Sequence, residues 1–296
     1  MSTTTSISTR VRTFAGDIKL SHSIFALPWA ILATFLAAPG ARPKLGQVAL
    51  IVACMVLART VAMGANRLFD ARLDAMNPRT ARRAIPSGTL SSSFVATLVI
   101  VCALGFILTT SFFGSIYENW IPLIASVPVL AFVSAYPFLK RFTRLCHYYL
   151  GAALALAPVC AWVAIAGTLS VEPLLMALAV LTWTAGFDII YACQDFESDR
   201  ATGVFSIPAK FGISPALWIA RLTHVLCVAS LIALMLVSPR LGLLFGIGIG
   251  IATLLLIVEH AIVKPTDLSK VNLAFFTING VISLLLGALG VVDAFV

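Results

Sequence analysis

The feature that most constrains this chain is a succession of apolar stretches, each about twenty residues long, separated by short polar segments. A hydrocarbon core about 30 Å thick needs about 20 apolar residues per helix, so each stretch is long enough to cross it. Nine spans are predicted, at about 21–39, 45–68, 91–112, 119–139, 147–168, 172–193, 215–237, 241–259 and 271–292, preceded by a short segment over 1–20. Residues of the set AVILMFWYC make up 60% of the 296-residue chain and charged residues only 11%, against about 25% charge in soluble domains. This excludes an ordinary soluble enzyme. It predicts an all-α, polytopic membrane bundle of about nine transmembrane helices, forming a single domain over 1–296. A cleavable signal peptide over Ile24–Ala38 is disfavoured, because Pro28 and Trp29 sit within the run and another span follows almost at once.

The net charge of +8 does not point to nucleic acid, because the basic residues have a simpler topological explanation. With the N-terminus in the cytoplasm, 16 of the 20 basic residues fall on the cytoplasmic side, and only Arg42, Lys44 and Arg240 on the other. That asymmetry follows the positive-inside rule and predicts a multi-pass protein of the cell (inner) membrane. Arg59 is left inside a span. The six cysteines are scattered without a CxxC pair, and His22, His147, His224 and His260 show no HxxH or HxxxH spacing. Disulfide, zinc and haem roles therefore lack support, and these residues read as small hydrophobes and polar groups at span ends.

Acid is scarce enough for its placement to matter: of the 12 acidic residues, Asp70, Asp74, Asp188, Asp195, Glu197 and Asp199 crowd into two windows. In the first, Asn66, Asp70 and Asp74 stand at i, i+4 and i+8, which on a helix makes one polar stripe, with Arg59 deeper on much the same line. Arg79, Arg82 and Arg83 follow in a segment punctuated by Pro78 and Pro86, a loop beyond the helix end. In the second window Asp188, Tyr191, Asp195 and Asp199 share a helical stripe, while Glu197 points away. The windows repeat at an offset of 125 residues, Asn66 onto Tyr191, Asp70 onto Asp195 and Asp74 onto Asp199.

An Asp near the centre of a span costs about 2.5–3.5 kcal/mol on insertion scales, so two clusters in register argue for function. Carboxylates repel a phosphate, but magnesium binds through one or two carboxylates plus substrate phosphates, and arginines can take the remaining oxygens. The residues thus predict a magnesium-bound diphosphate held between two acidic stripes. The bland alternative is a pair of solvated helix ends in which Asp70 and Asp74 pair with Arg67 and Arg72.

Three segments carry a resemblance: NRLFDARLDAMNPRTARRAIPSG, YPFLKRFT from Tyr136 to Thr143, and DIIYACQDFESD. With them the chain resembles the UbiA superfamily of intramembrane prenyltransferases over essentially its whole length, most closely the 4-hydroxybenzoate polyprenyltransferase branch. The resemblance implies a helical bundle around a central cavity that opens sideways to lipid beneath two cytoplasmic loops. It implies magnesium-dependent transfer of a polyprenyl group from its diphosphate to an aromatic acid in quinone biosynthesis. Carried onto this sequence, Asn66, Asp70, Asp74, Asp195 and Asp199 would hold Mg²⁺ and diphosphate, and Asp188 and Tyr191 would line the cavity. Arg79, Arg83, Lys140 and Arg141 match basic positions near the diphosphate, although Lys140 and Arg141 could instead anchor a helix end. Arg59 fits an acceptor carboxylate or a helix–helix hydrogen bond equally well, and the proton-accepting base could be Asp188, Asp195 or Asp74.

Two departures stand out. Ala84 replaces a proline common among relatives, and Gly203-Val204-Phe205-Ser206 stands where a Gly-x-Lys-Ser stretch is expected. The missing lysine keeps a dihydroxynaphthoate acceptor of menaquinone synthesis in view. A membrane transporter is the reading from a different class, since repeats and intramembrane charges also mark carriers. The acidic stripes lie at span ends beside arginine-rich loops, not at midspan, which favours processing of a headgroup.

Overall fold

The structure is a computed structural model that describes residues 6–19 and 25–296. Among them the fold is all-helical: α1 (Ile7–Asp17), α2 (Leu27–Ala37), α3 (Leu45–Met76), α4 (Ser92–Tyr117), α5 (Ile121–Ser134), α6 (Tyr136–Leu139), α7 (Cys146–Ala166), α8 (Val171–Ala192), α9 (Phe196–Thr202), α10 (Ile207–Phe211), α11 (Ile213–Val237), α12 (Leu243–Ile262) and α13 (Asn279–Asp293). Eight helical stretches are long and apolar enough to cross a membrane, and α2 is a shorter apolar helix beside them. The predicted first span extends over 21–24, which with His22 lies outside the described residues. The 1–20 segment holds a helix that the sequence reading did not anticipate, α1, capped by Ser6 accepting from the Thr9 amide.

Side chains such as Ile100, Leu104 and Leu108 on α4 and Trp218, Leu222 and Val225 on α11 lie exposed on the outside of the bundle. Lipid is the solvent that tolerates such a surface, since a helix pairs its own backbone groups along its length. The interior is tight where small residues allow close approach. A Cβ at Gly151 of α7 would collide with the Leu181 carbonyl of α8, and one at Gly186 of α8 with the His224 ring of α11. Trp29 and Trp183, both fully buried with ring centroids 5.9 Å apart, anchor the core between α2 and α8.

Several predicted boundaries move. α3 runs eight residues past the predicted end at 68, to Met76, because Asp70 and Asp74 are partnered in place; it stops at Asn77, extended at φ −98°, ψ 119°, as a residue before proline must be. The fourth span is broken at Ala135 between α5 and α6. The last opens with a π-helical turn, Leu273–Ile278, before α13. The second acidic window does not lie on one continuous α-helix: α8 ends at Ala192, a 3-10 turn spans Cys193–Asp195, and α9 follows. The tighter turn, about 3.0 residues against 3.6, rotates Asp195 and Asp199 away from the line computed for an unbroken helix.

Candidate active site

Both acidic windows, the 77–91 loop, the end of α1, α6 and the start of α7 converge at one end of the bundle around a cavity of about 1260 Å³. Asn66, Asp70, Asp74, Arg79, Arg83, Lys140, Asp188, Tyr191, Asp195 and Asp199 all line it, as does Arg59. Below this polar mouth the wall turns apolar: Ile51, Met55, Phe106, Phe113, Val129, Leu154 and Ala161 carry the cavity down to Gly167, Thr168 and Leu169 at the opposite end of α7. With its charged end and long apolar shaft, the space suits an amphiphile and not a small soluble metabolite.

Three carboxylates of the mouth, Asp70, Asp74 and Asp195, each meet a cation from another segment. Asp70, only 1% exposed, receives the Lys140 ammonium at 2.5 Å and the Asn66 amide at 2.8 Å, both on Oδ2. Its Oδ1 is buried with no hydrogen-bond partner. Asp74 takes Arg83 Nη1 on both oxygens, at 2.7 and 2.8 Å. Asp195 receives Arg79 as a fork, Nε on Oδ1 at 2.9 Å and Nη2 on Oδ2 at 2.6 Å, with the Asn77 amide also on Oδ1 at 2.9 Å. Arg79 Nη1 donates to the Tyr191 hydroxyl at 2.9 Å. Burial opposes the charge on Arg79, but the hydrogen bonds and charge of Asp195 outweigh it and hold its pKa above the ordinary value. Thus the loop after α3 crosses the mouth and ties the second motif to the first.

The bland pairing of Asp70 and Asp74 with Arg67 and Arg72 does not occur. Arg67 turns back to Asp17 of α1, Nε to Oδ2 at 2.8 Å, and the motif carboxylates take cations from other segments. Arg141 lies outside the cavity wall, donating to the Phe69 carbonyl at 2.6 Å and standing 3.8 Å from Asp70 Oδ1. It stitches α6 to α3. Glu197 is exposed and away from the cavity. Arg59 donates to the Lys19 carbonyl at 3.2 Å through Nη2, while its buried Nε has no partner.

Sequence reasoning missed three groups. His147, read as an ordinary span-end residue, lines the cavity and holds Asp188 through Nδ1 at 2.7 Å. Its Nε2 accepts the Ile207 amide at 3.2 Å, so the proton sits on Nδ1 and the ring donates to Asp188. Asp17 was missed because it is isolated in sequence. Lys19, at the cavity edge, was counted only as a topological charge. Burial, and then the charges of Arg79, Arg67 and Arg83, hold its pKa below the ordinary value. The Gly203–Ser206 departure packs beside Lys140: the Phe205 amide donates to the Lys140 carbonyl at 2.7 Å, and the Phe205 side chain, in place of the expected lysine, is 41% exposed.

Among the described residues, no three His, Cys, Asp or Glu side chains converge as a protein-only metal cage would require. The donor set nonetheless fits magnesium shared with a substrate: hard carboxylate oxygens on two sides of the mouth, one of them the bare, buried Oδ1 of Asp70.

Comparison with known proteins accords with this arrangement. A model of the UbiA prenyltransferase family matches residues 26–281. A 4-hydroxybenzoate octaprenyltransferase of Klebsiella pneumoniae subsp. pneumoniae is 33% identical over 223 residues, 75% of this chain and 73% of that protein. One of Methylococcus capsulatus is 30% identical over 255 residues, 85% of this chain and 84% of that protein. The apo structure of a UbiA homolog from Aeropyrum pernix K1 superimposes with a TM-score of 0.82 at 30% identity, covering 93% of this chain and 98% of the other. A UbiA homolog from Archaeoglobus fulgidus bound to DMAPP and Mg²⁺ shares the fold, with a TM-score of 0.69 at 19% identity over 95% of this chain and 99% of that one. Buried paired acids at a helical mouth, an apolar shaft beneath them and these matches together make the chain a multi-pass membrane prenyltransferase of the UbiA family.

Proposed function

We propose that the protein transfers a polyprenyl group from its diphosphate to an aromatic acid of the 4-hydroxybenzoate type, with Mg²⁺, in quinone biosynthesis. The observation that carries this reading is the meeting of the two acidic motifs and three of their cations, Lys140, Arg83 and Arg79, at the head of an apolar shaft. The names of the relatives support the acceptor class. The basic residues crowd the end of the bundle that carries the mouth, which supports a cytoplasm-facing site in the cell (inner) membrane.

Asp70 and Asp74 from α3, with Asp195 and Asp199 from the second motif, are the residues that would hold Mg²⁺. Bound there with a diphosphate, the metal would neutralise phosphate charge and ease its departure. Asn66 has its amide nitrogen on Asp70 and its oxygen taken by Arg67 at 3.0 Å, which supports orientation of Asp70 as its contribution. Lys140, Arg83 and Arg79 now neutralise the carboxylates, and they are within reach of an anion that enters the mouth. On substrate entry they exchange toward phosphate oxygens, so that preformed donors meet the charge that grows as the carbon–oxygen bond breaks. Arg79 is suited to this by its planar fork, and Tyr191 steadies it.

The isoprenoid tail occupies the apolar shaft. The acceptor's carboxylate meets Arg59, whose unpartnered Nε lies in the wall beneath the mouth. The ring carbon attacks the terminal prenyl carbon as the diphosphate leaves, and the ring proton passes to a carboxylate. Asp188 is the best placed of the candidates, since Asp74 and Asp195 are engaged by arginines while Asp188 meets the His147 ring. Membranes containing the protein, incubated with labelled polyprenyl diphosphate and a panel of hydroxybenzoates and dihydroxynaphthoates, test the assignment. Labelled product with a hydroxybenzoate is expected, and product with dihydroxynaphthoate alone would move the acceptor to the second class.

A further inference from the structure

Asp17 sits at the C-terminal end of α1, remote in sequence from both acidic motifs, yet its carboxylate is shared between two parts of the first. Its Oδ2 accepts Arg67 Nε at 2.8 Å and its backbone carbonyl accepts Arg67 Nη2 at 2.9 Å. Its Oδ1 accepts the amide of Ala84, next to Arg83, at 2.9 Å. The remaining donor of Arg67, Nη1, goes to Asn66 Oδ1 at 3.0 Å, and Asn66 Nδ2 goes to Asp70 Oδ2 at 2.8 Å. These contacts form an unbroken chain from Asp17 to Asp70.

The chain has a direction. An Asn amide can present either its oxygen or its nitrogen to a neighbour, and only the nitrogen can donate to a carboxylate. Arg67 occupies the oxygen and so turns the nitrogen toward Asp70. Arg67 itself is 5% exposed, and a buried guanidinium without its carboxylate seeks another. Asp74 is near enough for its charge to act on Arg67. Without Asp17, Arg67 would swing toward the motif carboxylates and compete with whatever they bind.

We infer that Asp17 is a positioning residue for the first motif: through Arg67 and Asn66 it sets the orientation of Asp70, and through Ala84 it holds the loop that presents Arg83 to Asp74. The inference rests on the metal–diphosphate reading of the mouth. The test is a double-mutant cycle on binding in the purified full-length protein, using Mn²⁺ with inorganic diphosphate followed by electron paramagnetic resonance. Asp17→Ala is expected to weaken Mn²⁺–diphosphate binding about tenfold, with helix content and elution profile unchanged. The same substitution made on Asn66→Ala is expected to have an effect at least threefold smaller, because the relay it would break is already cut. Asp17→Asn, which keeps the volume but loses the charge and one acceptor, gives the same coupling should the alanine variant fold poorly. A loss below twofold for both Asp17 variants, or a coupling below threefold, would overturn the inference. Failure of the wild-type protein to bind Mn²⁺–diphosphate would instead overturn the reading on which it rests, and the inference with it.

Discussion

The two acidic motifs repeat in sequence but are built differently. The first lies on the last turns of α3, an uninterrupted helix over Leu45–Met76, with Asp70 buried and one of its oxygens bare. The second straddles a break: Asp188 is on α8, Asp195 closes a 3-10 turn, and Asp199 is on the seven-residue α9. Asp195 occupies the N-cap position of α9 yet makes no cap hydrogen bond. Its side chain is given wholly to Asn77 and Arg79 from the other half of the site. One motif is therefore held by its own helix and the other by the loop that crosses from its partner. On the proposed reading, the first motif would set the position of the diphosphate and the second would meet it from the opposite side of the mouth.

This contrast can be broken at graded points. The largest effect is expected for Asp70→Asn, which removes charge from the buried carboxylate at little change in volume; prenyl transfer should fall by about 10²–10³-fold, the size seen when a preorganised electrostatic group is lost. Asp195→Asn strikes the jointed motif and frees Arg79, and a loss of about 10²-fold in kcat/KM is expected by the same assay. Arg79→Lys keeps the charge but not the fork to Asp195, so kcat/KM for the prenyl diphosphate should fall about tenfold. An unchanged value there would mean that the crossing loop does not join the halves. The smallest effect is expected for Gly203→Ala. Gly203 ends α9 at φ +71° with open space around it, so alanine adds only left-handed strain, about 1–2 kcal/mol. Thermal unfolding in detergent should register that loss while metal-dependent activity changes less than threefold.

The bundle was legible because lipid imposes one rule on every span, and long apolar runs report it directly. The first motif was equally legible: an i, i+4, i+8 stripe on a continuous helix lines the cavity as the period requires. The second was legible in composition but not in geometry, since nothing in the residues Cys193–Asp195 announces a 3-10 turn to a reading based on a period of 3.6. The partners were the least visible. Lys140, Arg79, His147 and Asp17 reach the acids across separations of 70, 116, 41 and, from Asp17 to Arg67, 50 residues. Such pairings are decided by helix packing, which local spacing does not encode. His147 in particular has no sequence neighbour to suggest a site, and its role emerges only when α7 is laid against α8.

The central claim is that both motifs act on one diphosphate. Calorimetric titration of a non-hydrolysable prenyl thiodiphosphate with Mg²⁺ into the wild-type protein, Asp70→Asn and Asp195→Asn tests it most directly. The account predicts a single magnesium-dependent site in the wild type, weakened at least tenfold by either substitution. Wild-type affinity retained in either variant, or binding indifferent to EDTA, would contradict it.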